Sequence, residues 1–234
     1  MMNDLTVVYF TANFIPLSWE KFVTETLLKS IGDLPLISVS QKPMDFGFNI
    51  CVGDIGRSHL NIYRQMLIGA KATETEYIAF VEDDVLLPPE HFIFRPSAPD
   101  VAAYNMNKWA LFTWMRPPTF NMYPLHHSNA GCIIARNMFI EAMEERFAKY
   151  PVDADVPLKY WAEVGRYEGC MHITQRKLES FYPSVPHIFV SHETALGFLH
   201  LGKRKRPGEL RVTEVPPWGT AEELLKHYYG EDIP

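Results

Sequence analysis

The sequence predicts an α/β fold in which a mostly parallel central sheet is flanked by helices. From residue 5 to about residue 92, apolar runs of strand length alternate with segments of helical periodicity. The first run, residues 5–13, is apolar and β-branched nearly throughout, which is typical of a strand buried on both faces of a parallel sheet. Polar clusters follow three predicted strands, at the sheet edge where ligands bind in such folds.

The first half of the chain predicts a strand–helix–strand–helix–strand alternation. Each helix has apolar residues at helical spacing, and the first ends at a glycine. The predicted elements, strand first, are residues 5–13, 17–31, 34–40, 53–73 and 77–81. The polar clusters Thr11–Asn13, Gln41–Lys42 and Glu82–Asp84 end its three strands, so we expect them to converge on one rim.

The second half predicts shorter elements. Residues 101–114 read as one or two strands, and residues 187–192 as a last apolar strand that ends at Ser191 and His192. A short strand precedes a helix from about Arg136 to Lys149, and a second short helix is predicted around Leu158–Arg166. The tail is basic, then rich in proline, then helical. No linker divides the chain, so a single domain over residues 1–234 is predicted.

The composition limits the functional classes. A chain of 234 residues with 47% hydrophobic residues buries a substantial core, and a net charge of −6 argues against a protein that coats nucleic acid or anionic membrane. Three distant cysteines suit a reducing compartment. No apolar run approaches the ~18 residues of a membrane span, and the first residues lack a basic signal-peptide region. We therefore expect a cytoplasmic protein without a membrane span.

The segment "EYIAFVEDDVLLPPEHF", residues 76–92, carries the chemistry. Its three adjacent carboxylates, Glu82, Asp83 and Asp84, follow a buried strand and repel one another. Hard divalent cations take oxygen ligands and neutralise such a cluster. The alternative is a solvated acidic turn or a helix cap. The apolar flanks on both sides and the two prolines that follow favour a metal site.

Together with the preceding Gly-containing loop and the helix that carries Arg57 and Asn61, this segment resembles the GT-A superfamily of nucleotide-sugar glycosyltransferases. The resemblance covers about residues 5–92 well and residues up to about 200 loosely. It implies a single GT-A-like, Rossmann-related domain. Residues 1–92 would form the nucleotide-sugar-binding half and residues 93–200 the acceptor half, followed by a basic loop and tail over residues 201–234.

The resemblance also implies roles for individual residues. The triplet matches the acidic DXD-type motif that holds Mn²⁺ or Mg²⁺ against the sugar-nucleotide diphosphate. Asp84 would be the principal metal ligand, Glu82 would lie by the ribose or the metal, and Asp83 by sugar or ribose hydroxyls. Thr11 and Asn13 match the family's first-strand loop, which holds the base of the sugar nucleotide. Arg57 would face the nucleotide, with a plain surface charge at a helix start as its alternative.

Histidines and a basic run provide further candidates. The resemblance implies an additional metal ligand near the C-terminus, and His192, which follows the last strand, is the first choice for it. Histidine suits this role because neutral imidazole binds Mn²⁺ without adding negative charge. His200 is the second choice, and a structural, hydrogen-bonded His192 is the alternative. The run "GKRKRP" contains Lys203 and Arg204, which would contact the diphosphate from a mobile loop. The alternatives are a solvated surface and contact with a polyanionic acceptor such as nucleic acid.

The catalytic base is predicted from the same resemblance. Inverting relatives place an acidic residue at the start of a helix after the acceptor-side strand, and "VDADVPLKYWAE" offers Asp153 and Asp155 there. Asp155 is the first choice, because Val156 and Pro157 lead directly into the predicted helix. The alternative is an ordinary helix N-cap. A retaining enzyme needs no base at that position.

The predicted function is metal-dependent transfer of a hexosyl or pentosyl group from a nucleoside-diphosphate sugar to an acceptor hydroxyl. A UDP-sugar is the expected donor, and the acceptor is a glycan, a small molecule or a modified nucleic acid. One alternative is a nucleotidyltransferase of related fold, although the loop after the first strand, "TANFIPLSWE", lacks the glycine-rich, basic signature of that class. The other is a non-catalytic domain that binds a divalent cation.

Overall fold

The computed structural model describes residues 4–123, 127–150, 163–196 and 208–230. The strands, in chain order, are β1 (Leu5–Thr11), β2 (Leu36–Ser40), β3 (Phe48–Cys51), β4 (Tyr77–Glu82), β5 (Val85–Leu86), β6 (Val101–Asn105), β7 (Lys108–Phe112), β8 (Phe120–Met122), β9 (Cys132–Ala135), β10 (Lys177–Phe181), β11 (His187–Ser191), β12 (Arg211–Val212), β13 (Glu214–Val215) and β14 (Gly219–Thr220). The α-helices are α1 (Leu17–Ile31), α2 (His59–Ala72), α3 (Arg136–Lys149) and α4 (Ala221–Tyr229), and short 3-10 helices cover Pro89–Ile93 and Asn129–Gly131. Within the described residues, no helix has both the length and the apolar character needed to cross a bilayer.

The central sheet has seven strands in the order β3-β2-β1-β4-β9-β6-β10. β1 is parallel to β2 and β4, β2 is parallel to β3, and β6 is parallel to β10. Only β9 in this sheet runs antiparallel to its neighbours, β4 and β6. The predicted α/β class with a mostly parallel central sheet is confirmed.

The apolar run of β1 is explained by burial on both faces of this sheet. Every residue of β1 is buried. Val8 and Phe10 pack in a cluster with α2 and α3, whereas Val7 and Tyr9 pack on the opposite face with Leu27 of α1. Successive side chains of a strand point to opposite faces, so a strand covered on both sides has no face exposed to solvent.

A second sheet stands beside the first at the acidic triplet. Its five strands follow the order β12-β8-β7-β11-β5, and α1 and α4 pack in the same cluster as its apolar side chains. β4 ends at Glu82 and β5 begins at Val85, so Asp83 and Asp84 form the link between the two sheets. The fold thereby places the triplet where the two sheets meet.

Two elements differ from the sequence prediction. β3 was not predicted. Residues 101–114 form two strands, β6 and β7, as one of the predicted alternatives has it, and these strands belong to different sheets. The helix predicted around Leu158–Arg166 is wrong for its described part, because residues 163–166 form a turn. Gly165 has φ +89° there, a backbone conformation that ends a helix. Residues 158–162 lie outside the described residues.

Candidate active site at the carboxyl edge of the central sheet

The polar clusters that follow β1, β2 and β4 meet at one edge of the sheet. Oδ1 of Asn13 accepts hydrogen bonds from the backbone N–H groups of Gln41 at 3.0 Å and Lys42 at 2.9 Å. The hydroxyl of Thr11 donates a hydrogen bond to the carboxylate of Asp83. The convergence expected from the strand order is therefore present, and it is held by direct hydrogen bonds between the clusters.

Thr11 and Asn13, the residues predicted to hold the base, shape this edge through contacts within the protein. The Thr11 hydroxyl also accepts the backbone N–H of Asn13 at 2.8 Å. Asn13 has φ +56°, in the left-handed region that asparagine tolerates better than most residues. This turn brings its amide oxygen over the end of β2. The two side chains fix the loop against which a ligand would lie.

The backbone of the acidic triplet is anchored from both sides. The indole N–H of Trp19, which is fully buried in α1, donates to the carbonyl of Asp83 at 2.9 Å. The backbone N–H of Val190 in β11 donates to the carbonyl of Asp84 at 2.8 Å. Because both carbonyls are held, the backbone from which the carboxylates of Asp83 and Asp84 extend is fixed.

The three carboxylates point to two different places. Glu82 and Asp84 line one cavity, whereas Asp83 turns to Thr11. This division occurs where the chain leaves β4, because Asp83 and Asp84 form the turn between β4 and β5. Burial and the charge of Asp84 raise the pKa of Asp83 to about 6, although Thr11 and His192 counteract the rise. The repulsion expected from the sequence is therefore present at this edge.

His192, the histidine predicted as an additional metal ligand, lies beside Asp84 at the end of β11. It is 5% exposed, and its Nε2 lies 3.8 Å from Oδ2 of Asp84. Its Nδ1 lies 2.8 Å from the hydroxyl oxygen of Thr194. One ring nitrogen therefore faces the carboxylate while the other is engaged by the turn that follows β11.

Arg57 is also brought to this edge. It precedes Ser58, whose hydroxyl caps α2 by accepting the backbone N–H of Asn61 at 3.1 Å. The Arg57 guanidinium donates to the carbonyl of Thr194 and lies 4.4 Å from the ring centroid of Phe14. Phe14 is 52% exposed, so the pair presents a cation and an aromatic face to solvent next to the triplet.

Asp84 and His192 can both contact one divalent ion. Two ligand atoms that each lie about 2.1 Å from one Mg²⁺ are at most about 4.2 Å apart, and the observed 3.8 Å is within that limit. Among the described residues, however, no three His, Cys, Asp or Glu side chains are grouped closely enough to hold an ion. Glu82 therefore does not complete a set of three with Asp84 and His192. The arrangement fits an ion that takes its other oxygens from a substrate and water.

A cavity of about 280 Å³ opens beside Glu82 and Asp84. It brings together residues from both sheets and from the segment after residue 162. Its lining is Glu82, Asp84, Val85, Lys108, Tyr123, His127, Ser128, Glu163, Arg166 and Phe189. Three carboxylates and two cations around one small volume suit a polar ligand that carries both hydroxyl groups and charge.

Several of these cavity residues were missed by sequence reasoning. Lys108 is 3% exposed at the start of β7, opposite His187 in β11. Glu163 and Arg166 form an ion pair of 2.6 Å. Glu163 and Arg166 are three residues apart in the sequence. This segment was predicted to be a helix, and the catalytic base was assigned to Asp155 at the start of that helix. The partners of Lys108 in the cavity come from distant segments, which a local pattern does not reveal.

Other predicted site residues lie outside the described residues. These are the base candidates Asp153 and Asp155, the basic residues Lys203 and Arg204, and the second histidine candidate, His200.

Comparisons with known proteins give similarity only among solved structures. No protein-family model matches the chain, and no curated protein matches its sequence. The chain is similar to the crystal structure of a glycosyltransferase involved in the glycosylation of the major capsid of PBCV-1, at 11% identity and a TM-score of 0.49, covering 80% of this chain and 92% of that one. It is also similar to the apo-form glycosyltransferase GlyE of Streptococcus pneumoniae TIGR4, at 8% identity and a TM-score of 0.40, covering 76% of this chain and 45% of that one. Values this low assign no activity to this chain.

Proposed function

We propose that the protein is a glycosyltransferase that moves a sugar from a nucleoside-diphosphate donor, a UDP-sugar in the first instance, to an acceptor hydroxyl with the help of Mn²⁺ or Mg²⁺. The observation that carries the proposal is the position of the Asp84–His192 pair. It lies at the carboxyl edge of a mostly parallel sheet, between the partly buried Arg57, which stacks on the exposed Phe14, and a polar cavity. The resemblance of residues 76–92 to the GT-A motif supports the same function.

In this proposal Asp84 and His192 would hold the ion against the diphosphate. When bound, the ion would neutralise the phosphates and act as a Lewis acid on the departing nucleoside diphosphate. Glu82 lines the cavity with Asp84 and would contact the ribose or the sugar. Asp83 would contact sugar or ribose hydroxyls with the oxygen that Thr11 does not engage.

The remaining parts of the donor would lie on either side of this pair. The nucleobase of the donor would lie against the loop that Thr11 and Asn13 shape. Arg57 would face the diphosphate, since guanidinium is a strong phosphate partner. Lys203 and Arg204 would add cationic contacts to the phosphates. The sugar and the acceptor hydroxyl would occupy the cavity, where Lys108 and the Glu163–Arg166 pair supply hydrogen-bonding groups.

Asp155 is the proposed base of an inverting transfer, with Asp153 as the second choice. Glu163 lines the cavity, but its carboxylate is held by Arg166 at 2.6 Å, so a role in binding acceptor hydroxyls suits it better. Asp155→Asn is expected to lower kcat by about 10²–10⁴-fold at unchanged donor affinity, because a positioned base contributes that much. Glu163→Gln is expected to raise the acceptor KM. The measurement is steady-state kinetics with both substrates varied.

A large loss of kcat in Glu163→Gln, with only a raised acceptor KM in Asp155→Asn, would assign the catalytic base to Glu163. Wild-type turnover in both Asp155→Asn and Glu163→Gln would leave Asp153 as the base or a retaining mechanism, which needs no base at that position, and Asp153→Asn distinguishes the two. Glu144→Gln serves as a control, since its carboxylate pairs with Lys71 on the surface at 2.6 Å.

Product analysis tests the proposed reaction class. The protein is incubated with Mn²⁺ and a panel of nucleotide sugars, and slow donor hydrolysis is followed by ³¹P NMR. A glycosyltransferase releases a nucleoside diphosphate. Release of a sugar 1-phosphate together with a nucleoside monophosphate would indicate a nucleotidyltransferase. Intact donors throughout the panel, with Mn²⁺ bound to the protein alone, would indicate a cation-binding domain.

A further inference from the structure

Thr194 connects two residues of the candidate active site. Its hydroxyl oxygen lies 2.8 Å from Nδ1 of His192, and its backbone carbonyl accepts a hydrogen bond from the guanidinium of Arg57. One turn after β11 therefore contacts both the imidazole beside Asp84 and the cation over Phe14. Sequence reasoning singled out the histidine and the arginine but not the residue that joins them.

The two nitrogens of His192 have different surroundings. Nε2 lies 3.8 Å from Oδ2 of Asp84, which is longer than a hydrogen bond between such atoms, whereas Nδ1 is within hydrogen-bond distance of Thr194. A neutral imidazole has a proton on one nitrogen and a lone pair on the other, and the partner of one nitrogen sets the role of both. The Thr194 hydroxyl can accept a hydrogen bond from Nδ1 or donate one to it. In the first case the proton is on Nδ1, and the lone pair of Nε2 faces Asp84.

Tyr228 of α4 closes the site behind this contact. It is 5% exposed, and its ring centroid lies 5.8 Å from that of His192. Burial raises the pKa of Tyr228, and Tyr229 and Asp84 raise it further, so the phenol remains neutral. A neutral aromatic wall restricts the ring of His192 and keeps bulk water from that side.

We propose that Thr194 is a positioning residue that holds His192 with its proton on Nδ1, so that Nε2 is presented as a metal ligand beside Asp84. The inference rests on the proposed function, in which Asp84 and His192 hold the ion. Partners of this kind fix the tautomer and the orientation of a ligating histidine, and their loss costs about 10–100-fold in metal affinity. Because Arg57 bonds to the backbone of the same residue, one turn sets both the metal side and the phosphate side of the site.

Three variants distinguish the contribution of the Thr194 hydroxyl from the contributions of its side-chain shape and its backbone carbonyl. Thr194→Val keeps the shape and the carbonyl that Arg57 contacts but lacks the hydroxyl. Thr194→Ser keeps the hydroxyl and is the rescue variant. Tyr229→Phe is the control. It removes a hydroxyl from the residue next to Tyr228, and that hydroxyl contacts the backbone carbonyl of Thr113 at 3.4 Å. Equal melting temperatures for all three would exclude a general folding defect.

The first readout is ¹⁵N NMR of the imidazole of His192 in metal-free protein at a pH at which the ring is neutral, with the signals assigned by their loss in His192→Gln. We expect the Nδ1–H tautomer in the wild type, in Thr194→Ser and in Tyr229→Phe, and a changed tautomer population in Thr194→Val. An Nε2–H tautomer in the wild type, or unchanged signals in Thr194→Val, would overturn the role of Thr194.

The second readout is the Kd of Mn²⁺ in the presence of UDP. Thr194→Val is expected to weaken it about 10–100-fold, and Thr194→Ser and Tyr229→Phe to leave it unchanged. Equal Mn²⁺ affinity in Thr194→Val and the wild type would contradict the inference. A wild-type protein that binds no Mn²⁺ with UDP would contradict the proposed function, whereas the NMR result addresses Thr194 separately.

Discussion

Asp84→Asn is expected to lower turnover by at least about 100-fold and to abolish Mn²⁺-dependent binding of a nucleoside diphosphate. The carboxylate faces Nε2 of His192 at 3.8 Å, and the substitution removes its charge while keeping its shape. Metal stabilisation of a transition state supplies several kcal/mol, and each ~1.4 kcal/mol corresponds to a factor of ten in rate. The measurements are kcat/KM with the donor and titration calorimetry with UDP and Mn²⁺.

The stability of the same variant distinguishes a site residue from a structural one. Asp84 raises the pKa of its buried neighbour Asp83, so removal of its charge relieves repulsion within the triplet. The melting temperature of metal-free Asp84→Asn should therefore equal or exceed that of the wild type. Glu25→Gln is the control, because this exposed carboxylate lies 4.0 Å from Lys21 on α1. Full activity in Asp84→Asn, or a large loss of stability with normal metal binding, would contradict the assignment.

Glu168→Gln is expected to lower the free energy of unfolding by about 3–5 kcal/mol. Glu168 and Arg146 are both fully buried, with 3.7 Å between their charged atoms, and Oε2 of Glu168 accepts the backbone N–H of Arg176 at 2.8 Å. Removal of one charge from a buried pair leaves the other charge in a medium that solvates it poorly. Urea denaturation followed by circular dichroism measures the loss.

This ion pair also supports the cavity. It holds the segment that carries Glu163 and Arg166 against α3, so Glu168→Gln should raise the acceptor KM as well. The double variant Arg146→Met/Glu168→Leu should recover only part of the stability, because an apolar pair replaces the buried charges but the backbone N–H and the guanidinium of Arg176 lose their contacts with Glu168. Asp100→Asn is the matched control, since its pair with Lys177 is 62% and 73% exposed and should contribute under about 1 kcal/mol. Equal effects of Glu168→Gln and Asp100→Asn would contradict this account of the buried pair.

The parts of the fold that the sequence predicts are those with strong local patterns. The buried face of α1, with Trp19, Val23, Leu27 and Ile31 four residues apart, and the apolar run of β1 are clear from the chain. β3 has no buried residue and lies at a sheet edge, so it has no apolar run to reveal it. The reversed direction of β9 depends on how distant segments connect, which no local periodicity encodes.

The candidate site likewise contains contacts that the sequence predicts and residues that it does not reveal. Polar residues at the ends of parallel strands predicted the meeting of Thr11 with Asp83, because strand direction determines that edge. The approach of His192 to Asp84 joins strands of two different sheets, β11 and β4, and was suggested by the resemblance to GT-A enzymes. Thr194 and Lys108 have no distinguishing pattern, since their roles come from contacts with residues far away in sequence. Gly165, with its positive φ, converts the segment read as a helix around Glu163 and Arg166 into a turn.

Coupled binding of Mn²⁺ and a nucleoside diphosphate tests the central claim most directly. Wild-type protein is titrated with Mn²⁺ alone, with UDP alone and with each in the presence of the other. Because Asp84 and His192 provide only part of a coordination shell, we predict weak binding of either alone and at least about tenfold tighter binding of each with the other present. Tight binding of Mn²⁺ that UDP does not change, or equal binding of UDP in EDTA, would contradict a metal-bridged diphosphate site.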